Sequence, residues 1–208
     1  MRLNPPMKVC KICFHNFYDD SLIHLFNDKL CACKRCLDEI QAKFIKFDID
    51  GISGLSIYDY DERIQSLIYQ FKGCFDYELK DVFLSRYFRE LSLRYKGYVV
   101  VPIPSSKEDD EEREFNHVVE IFKMLKLQML FLLRKTGRVK QATSNSKQRK
   151  DISKYLELID KPDLTKRKIL IVDDVYTTGS TMHAAINLIQ QLHPKKIKVL
   201  VISKTKLE

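Results

Sequence analysis

An α/β fold, with a twisted and mainly parallel sheet flanked by helices behind a small cysteine-rich unit, follows from three features of this 208-residue sequence. Tyr98 to Val101, Ile169 to Val172 and Ile197 to Ser203 are short runs rich in β-branched residues and leucine, the pattern of strands buried on both faces of a parallel sheet. Before and between them lie segments with helical spacing: Ile64, Leu67, Ile68 and Phe71, then Met182, Ala185, Ile186, Ile189 and Leu192. The cysteines cluster near the N-terminus. The expected division is 1–47 for the cysteine-rich unit and 48–208 for the α/β unit.

Lysine and arginine exceed the acidic residues, 36 against 28, giving a net charge of +8. An anionic partner, whether nucleotide, nucleic acid or membrane surface, is compatible with that balance, and so is ordinary solubility charge. No apolar run approaches the ~20 residues of a membrane span, and the N-terminus lacks the apolar core of a signal peptide. A cytoplasmic location is therefore expected. In a reducing compartment, cysteines argue for metal rather than disulfides.

Cys10-x-x-Cys13 and Cys33-x-x-Cys36, with residues 14–32 between them, have the spacing of a four-thiolate structural zinc site. Zinc would supply the folding energy that so short a segment lacks in apolar core. Cys31 could replace Cys33, but it forms a looser pair with Cys36, so Cys33 is the expected ligand. His15 and His24 lie between the knuckles and are expected to be exposed, since four cysteines already satisfy zinc.

Leu37 to Phe47 reads as a short polar helix, punctuated by Gly51 and Gly54, and Leu55 to Tyr60 as a strand. Asp61 is the expected N-cap of the next helix, which Lys72 and Gly73 end. A further helix is expected from Tyr77 to Arg94. Cys74 is a lone thiol suited to packing. After the strand Tyr98 to Val101, Pro102-Ile-Pro104-Ser-Ser106 forces a rigid turn. The acidic run Glu108 to Glu114, interrupted by Arg113, reads as solvated charge at a helix start. Phe115, Val118, Phe122 and Leu125 then carry a helix. Met129 to Leu133 and Tyr155 to Ile159 read as strands. Between them the sequence is basic, from Arg134 to Lys154, and is suited to a pyrophosphate, to nucleic acid or simply to solvent.

The most informative stretch is Lys168 to Thr181. The apolar strand ends at Asp173 and Asp174, the ligand-facing edge of an open α/β sheet. Thr177, Thr178, Gly179, Ser180 and Thr181 follow at a helix start, where Gly179 lets the backbone approach an anion and free N–H groups point at it. Carboxylates that accept from vicinal hydroxyls, one sugar length from an anion cradle, suit a ribose 5-phosphate. The alternative is a buried strand ending in solvated aspartates and a Ser/Thr N-cap. No G-x-x-x-x-G-K-[ST] occurs, which argues against an ATPase.

These residues resemble the PRPP-binding signature of type I phosphoribosyltransferases, except that Tyr176 stands where an aliphatic residue is common. The resemblance implies a type I phosphoribosyltransferase-like sheet, with Asp173 and Asp174 on the ribose hydroxyls, Thr177 to Thr181 on the 5′-phosphate, and Mg²⁺ accompanying PRPP. With the zinc knuckles, nearly the whole chain resembles the ComF family of competence-associated proteins. Tyr60-Asp-Glu-Arg63 through Lys72, Val101-Pro-Ile-Pro104, Arg113-Glu-Phe-Asn-His117, Gln141 and Arg149 are similar to that family's segments. By this resemblance Lys72, Pro104, Ser105, Arg113 and Arg149 are candidates for contacts to pyrophosphate or its loop. The sequence departs from the family's Arg-Gly-Phe-Asn-Gln at Glu114 and His117, its lead-in is acidic instead of arginine-rich, and Asn145 replaces a leucine.

The resemblance implies a PRPP-binding protein of DNA uptake that engages single-stranded DNA and docks a partner such as a competence helicase. The alternative is an active phosphoribosyltransferase that transfers the ribose 5-phosphate of PRPP to a base nitrogen and releases pyrophosphate. Transfer needs a hood over the acceptor base. The chain ends soon after its last strand, so any hood is expected within its first ~75 residues, where no aromatic-plus-polar set names a base.

Overall fold

The computed structural model describes residues 7–18, 27, 29–136 and 156–205. Strands β1 (Met7–Val9) and β2 (Asn16–Tyr18) form an antiparallel ribbon around the first cysteine knuckle, and helix α1 (Lys34–Glu39) carries Cys36 of the second, with Cys33 at its N-cap. The main sheet has the order β3-β4-β9-β8-β5, from β3 (Ile45–Ile49), β4 (Ile52–Asp59), β9 (Lys196–Lys204), β8 (Lys168–Tyr176) and β5 (Tyr98–Pro102). Its three parallel pairings join β4, β9, β8 and β5, while β3 is an antiparallel edge. A small antiparallel sheet, β6 (Leu133–Lys135) with β7 (Leu156–Leu158), stands apart.

Alternation along the central strands feeds two apolar layers. Leu170, Val172, Leu200 and Ile202 point to the face covered by α2 (Glu62–Gly73) and α5 (His117–Phe122). Ile169, Ile171, Val199 and Val201 point to the face covered by α6 (Ser180–Gln190). Asp61 caps α2 as expected, accepting from the Ile64 N–H at 2.9 Å.

Three elements differ from the sequence reading. Leu37 to Phe47 is not one helix: α1 ends at Glu39, and Ile45 begins a strand. The signal was Asp50-Gly51, both at positive φ (51° and 81°), the pair that closes a two-residue β-hairpin. Tyr77 to Arg94 divides into a 3-10 turn (Tyr77–Asp81) and helix α3 (Phe88–Arg94). Two of the intervening carbonyls are taken by distant side chains, Phe83 by the Tyr58 hydroxyl at 2.8 Å and Ser85 by the Asn27 amide at 2.6 Å. Leu133 begins the strand expected at Met129 to Leu133, while Met129 makes a single bridge to Val100. Among the described residues, no helix is long and apolar enough to cross a membrane.

The cysteine-rich segment packs into the larger unit. Leu30, Ala32, Leu37 and Ile40 belong to the same apolar cluster as Tyr58, Phe71 and Phe83. Polar contacts line the seam: the Arg86 guanidinium donates to the Leu37 carbonyl at 3.0 Å, and the Ala42 N–H donates to the Tyr87 hydroxyl at 3.1 Å.

Candidate functional site

The site lies where β8 and β5 end. Strand β8 runs past the expected Val172 and includes both aspartates, because β9 stays paired with it as far as Tyr176 and Lys204. Adjacent residues of a strand point to opposite faces. Asp174 is turned inward and only 6% exposed, while Asp173 is partly buried.

Asp174 meets three donors. Its Oδ2 accepts from Lys72 Nζ, at the end of α2, at 2.8 Å, and from His117 Nε2, the first residue of α5, at 3.2 Å. Its Oδ1 accepts from the Val175 N–H at 2.6 Å. Helix α4 (Lys107–Arg113) delivers one more cation. Arg113 Nε donates to the Lys72 carbonyl at 2.9 Å, and Arg113 Nη1 lies 3.3 Å from His117 Nδ1. A guanidinium offers only donors, so His117 Nδ1 accepts and Nε2 carries the proton given to Asp174. Lys72, Arg113, His117 and Asp174 thus form a closed circuit. Burial alone would raise Asp174, but the His117 hydrogen bond and the Lys72 charge outweigh it and hold the carboxyl well below the usual range. Burial and then the charge of Asp174 push Asp173 well up. Lys72 is raised, because its attraction to Asp174 outweighs the opposing effect of burial.

The loop after β8 is built around Gly179 at φ 78°, the N-cap of α6. A Cβ there would sit 2.3 Å from the Tyr176 hydroxyl, so the ring of Tyr176 lies directly beneath the loop. Tyr176 packs against Phe47 at 4.9 Å between centroids. Thr177 and Thr178 are exposed, Ser180 and Thr181 partly so, and the Thr178 and Ser180 hydroxyls are 3.1 Å apart. A helix start with small hydroxyl residues and an open backbone has the chemistry to hold a phosphate.

Pro104 and Ser105 follow β5 as half-buried turn residues. The Ser105 hydroxyl donates to Asp110, and the Asn116 amide reaches Ser105 Oγ at 3.1 Å and Asp110 Oδ2 at 2.8 Å. The acidic run is helical in α4, capped by Ser106 through the Asp109 N–H at 3.1 Å. Glu114 adopts φ 63°, a left-handed backbone that glycine takes without strain. Arg149, and with it most of the basic stretch, lies outside the described residues.

The structure thus brings Lys72 to Asp174, Arg113 to Lys72 and His117, and Ser105 to Asp110. Sequence reading registered His117 only as a departure. Its position one turn of chain past Arg113 was the available signal for a second donor.

At the other end, the thiols of Cys10, Cys13, Cys33 and Cys36 all lie within 4.8 Å of one another. Cys13 and Cys33 are 3.9 Å apart, close to the ~3.8 Å edge of a tetrahedron with ~2.3 Å metal–sulfur bonds. The group therefore fits a metal. The Cys33 N–H points at Cys10 Sγ at 3.3 Å. Cys31 stands apart, facing Ser85 Oγ at 3.8 Å, and burial pushes its thiol up to about 12. His15 is exposed, as expected; His24 lies outside the described residues.

Residues 115–206 match the phosphoribosyl transferase domain family. The chain is 31% identical over 200 residues to competence protein ComFC of Streptococcus pneumoniae, covering 86% of this chain and 90% of that one. It is also 31% identical over 132 residues to competence protein ComFC of Bacillus subtilis, covering 62% and 55%. Among solved structures, adenine phosphoribosyltransferase from Saccharomyces cerevisiae aligns at 17% identity and a TM-score of 0.39, over 77% of this chain and 82% of that one. With a phosphoribosyltransferase-type sheet, a four-cysteine cluster and this identity over most of its length, the chain belongs to the ComF family of competence proteins.

Proposed function

We propose that this protein binds PRPP, or another ribose 5-phosphate ligand, as part of DNA uptake, and that it also engages single-stranded DNA and a helicase-type partner. The observation that carries the ligand is the junction of β8 and α6, where an acidic strand end leads within a few residues to the Gly179-centred loop. Free N–H groups at the start of α6 and the hydroxyls of Thr177, Thr178, Ser180 and Thr181 would take the 5′-phosphate. The acidic end of β8 would take the ribose hydroxyls. Pyrophosphate would lie toward Ser105 and the Lys72–Arg113 side, with Mg²⁺ as its oxygen-bound counter-ion. Cys10, Cys13, Cys33 and Cys36 would hold a structural zinc, and 1–47 would serve as the docking unit beside the ligand-binding unit 48–208.

DNA binding rests on the net charge of +8 and on the basic stretch from Arg134 to Lys154. Partner docking rests on kinship with the ComFC proteins. In the second reading the same site performs transfer, with the protein contributing positioning and charge stabilisation. What counts against it is the acceptor: the first ~75 residues carry no aromatic-plus-polar set that names a base.

Thermal unfolding with PRPP and Mg²⁺ tests the ligand: binding only to the folded state raises Tm. Replacing both Asp173 and Asp174 by Ala should remove the rise, and an unchanged rise would overturn the site. Incubating labelled PRPP with a metabolite extract separates the readings, since pyrophosphate release would favour transfer.

A further inference from the structure

We propose that an aromatic cleft, sharing only Arg113 with the site described above, docks an arginine-bearing segment of a protein partner. The cleft has a volume of about 580 Å³ and lies between the chain that follows α2 and the link from α4 to α5. Phe75, Tyr77 and Phe115 supply its rings, and Glu112, Glu114 and Glu120 its carboxylates. The aromatic wall is anchored in the core. Phe115 stacks on Phe71 at 5.2 Å between centroids and meets the edge of Tyr77 at 5.1 Å, and Phe71 is only 1% exposed. The Tyr77 hydroxyl donates to Glu120 at 2.9 Å. Lys80 Nζ lies 3.6 Å from the centroid of the Tyr77 ring, so this group of rings receives one cation from its own chain. Phe75 lines the same cleft with 43% of its surface exposed.

Two of the lining residues hold a left-handed backbone, Phe75 at φ 59° and Glu114 at φ 63°. Residues other than glycine rarely adopt it, and where it persists it often presents a side chain to a ligand. Glu114 is the sharper case. It stands at the glycine of the ComF segment, where glycine would take this backbone without strain, yet here the position bears an exposed carboxylate. Charge selects the occupant. The chain is +8 overall, but residues 108–114 hold six carboxylates and one arginine. A polyanion is repelled from such a face and a cationic segment is drawn to it. Arg113 gives Nε to the Lys72 carbonyl and turns Nη1 to His117. Glu120 is paired with Lys123, so Glu114 is the carboxylate that would meet the incoming cation. A guanidinium suits this wall better than an ammonium, because its flat face stacks on a ring while its edge donates to a carboxylate.

The test uses an acetylated, amidated Gly-Arg-Gly-Arg-Gly peptide and its lysine counterpart. Each is titrated into the full chain labelled with carbon-13 at the phenylalanine rings, with the Phe75 signal assigned through Phe75→Leu. The arginine peptide should move the Phe75 signal and bind more tightly than the lysine peptide. Phe75→Ala should weaken arginine-peptide binding about five-fold, the loss expected for one ring face. Glu114→Gly should weaken it several-fold with Tm held or raised, since the strain goes with the carboxylate. A purely structural role for Glu114 would not separate those two readouts. Phe14→Ala, at an exposed ring of the cysteine-rich unit, should leave binding unchanged. No movement of the Phe75 signal, equal binding of the two peptides, or unchanged binding in Phe75→Ala and Glu114→Gly each overturns the proposal. So does movement of the Phe75 signal by a single-stranded oligonucleotide in place of the peptide, which would assign the cleft to nucleic acid.

Discussion

Asp173 and Asp174 are neighbours with opposite titration behaviour, and the sign of each has a measurable consequence. Asp174 is held low, so its contribution to stability is complete above the unfolded value of ~3.9 and is lost as the pH falls through the folded value. Asp173 is raised, so its contribution is complete below ~3.9 and is lost as the pH rises toward its folded value. Asp173→Asn should therefore be more stable than the parent at pH 7, with the gain disappearing near pH 4. Asp174→Asn should lose about 1–2 kcal/mol at pH 7, because buried His117 keeps only a weaker acceptor and part-exposed Lys72 loses its counter-charge. Urea unfolding at both pH values measures each difference. Tyr176 and Gly179 make a second pair. Gly179→Ala meets a left-handed backbone, worth about 1–2 kcal/mol, and also the Tyr176 hydroxyl. In a Tyr176→Val background only the first cost should remain, so the alanine substitution should cost less there, and a double-mutant cycle reads the difference. The motif made Gly179 legible in the sequence. The clash with Tyr176 was not, because residue spacing says nothing about where a ring lies.

Among the elements, those defined by local pattern were legible and those defined by distant partners were not. Helices α2 and α6 have apolar faces of their own, α2 with a side-chain cap at Asp61 and α6 with the glycine motif before it, and were found within a few residues. The segment from Tyr77 to Arg94 has enough apolar residues for a helix but gives its middle carbonyls to Tyr58 and Asn27. The four-cysteine unit was legible as a zinc motif, yet its attachment was not. Its apolar residues share a core with Tyr58, Phe71 and Phe83, so loss of metal should be felt well beyond the knuckles. Replacing Cys10 or Cys36 by Ser should remove zinc, about one ion per chain in the parent, and lower the Tm of a single transition that includes the main sheet. Cys74→Ser, at an exposed position after α2, should leave metal content and Tm unchanged. Elemental analysis with calorimetry decides this, and a separate early transition would show the unit melting alone.

On the scale of the whole molecule, charge is the remaining lever. If the excess of basic residues meets nucleic acid, affinity for a labelled single-stranded oligonucleotide should fall steeply between low and physiological salt, because bound phosphates release counterions. Reversing Lys147, Arg149 and Lys150 to Glu should flatten that slope and keep the PRPP response. Loss of the PRPP response with DNA binding unchanged would assign the stretch to pyrophosphate instead. The sheet order itself was only partly foreseeable: parallel strands and a ligand edge follow from the apolar runs, but the antiparallel β3 edge depended on recognising Asp50-Gly51 as a hairpin. The seam between the cysteine knuckles and the 77–87 segment has one more consequence, for inheritance. A segment that supplies part of its neighbour's core cannot be traded as an independent module. Substitutions at Leu37 or Ile40 would have to be matched across the seam, so the two halves of this chain should change together over time rather than be shuffled apart.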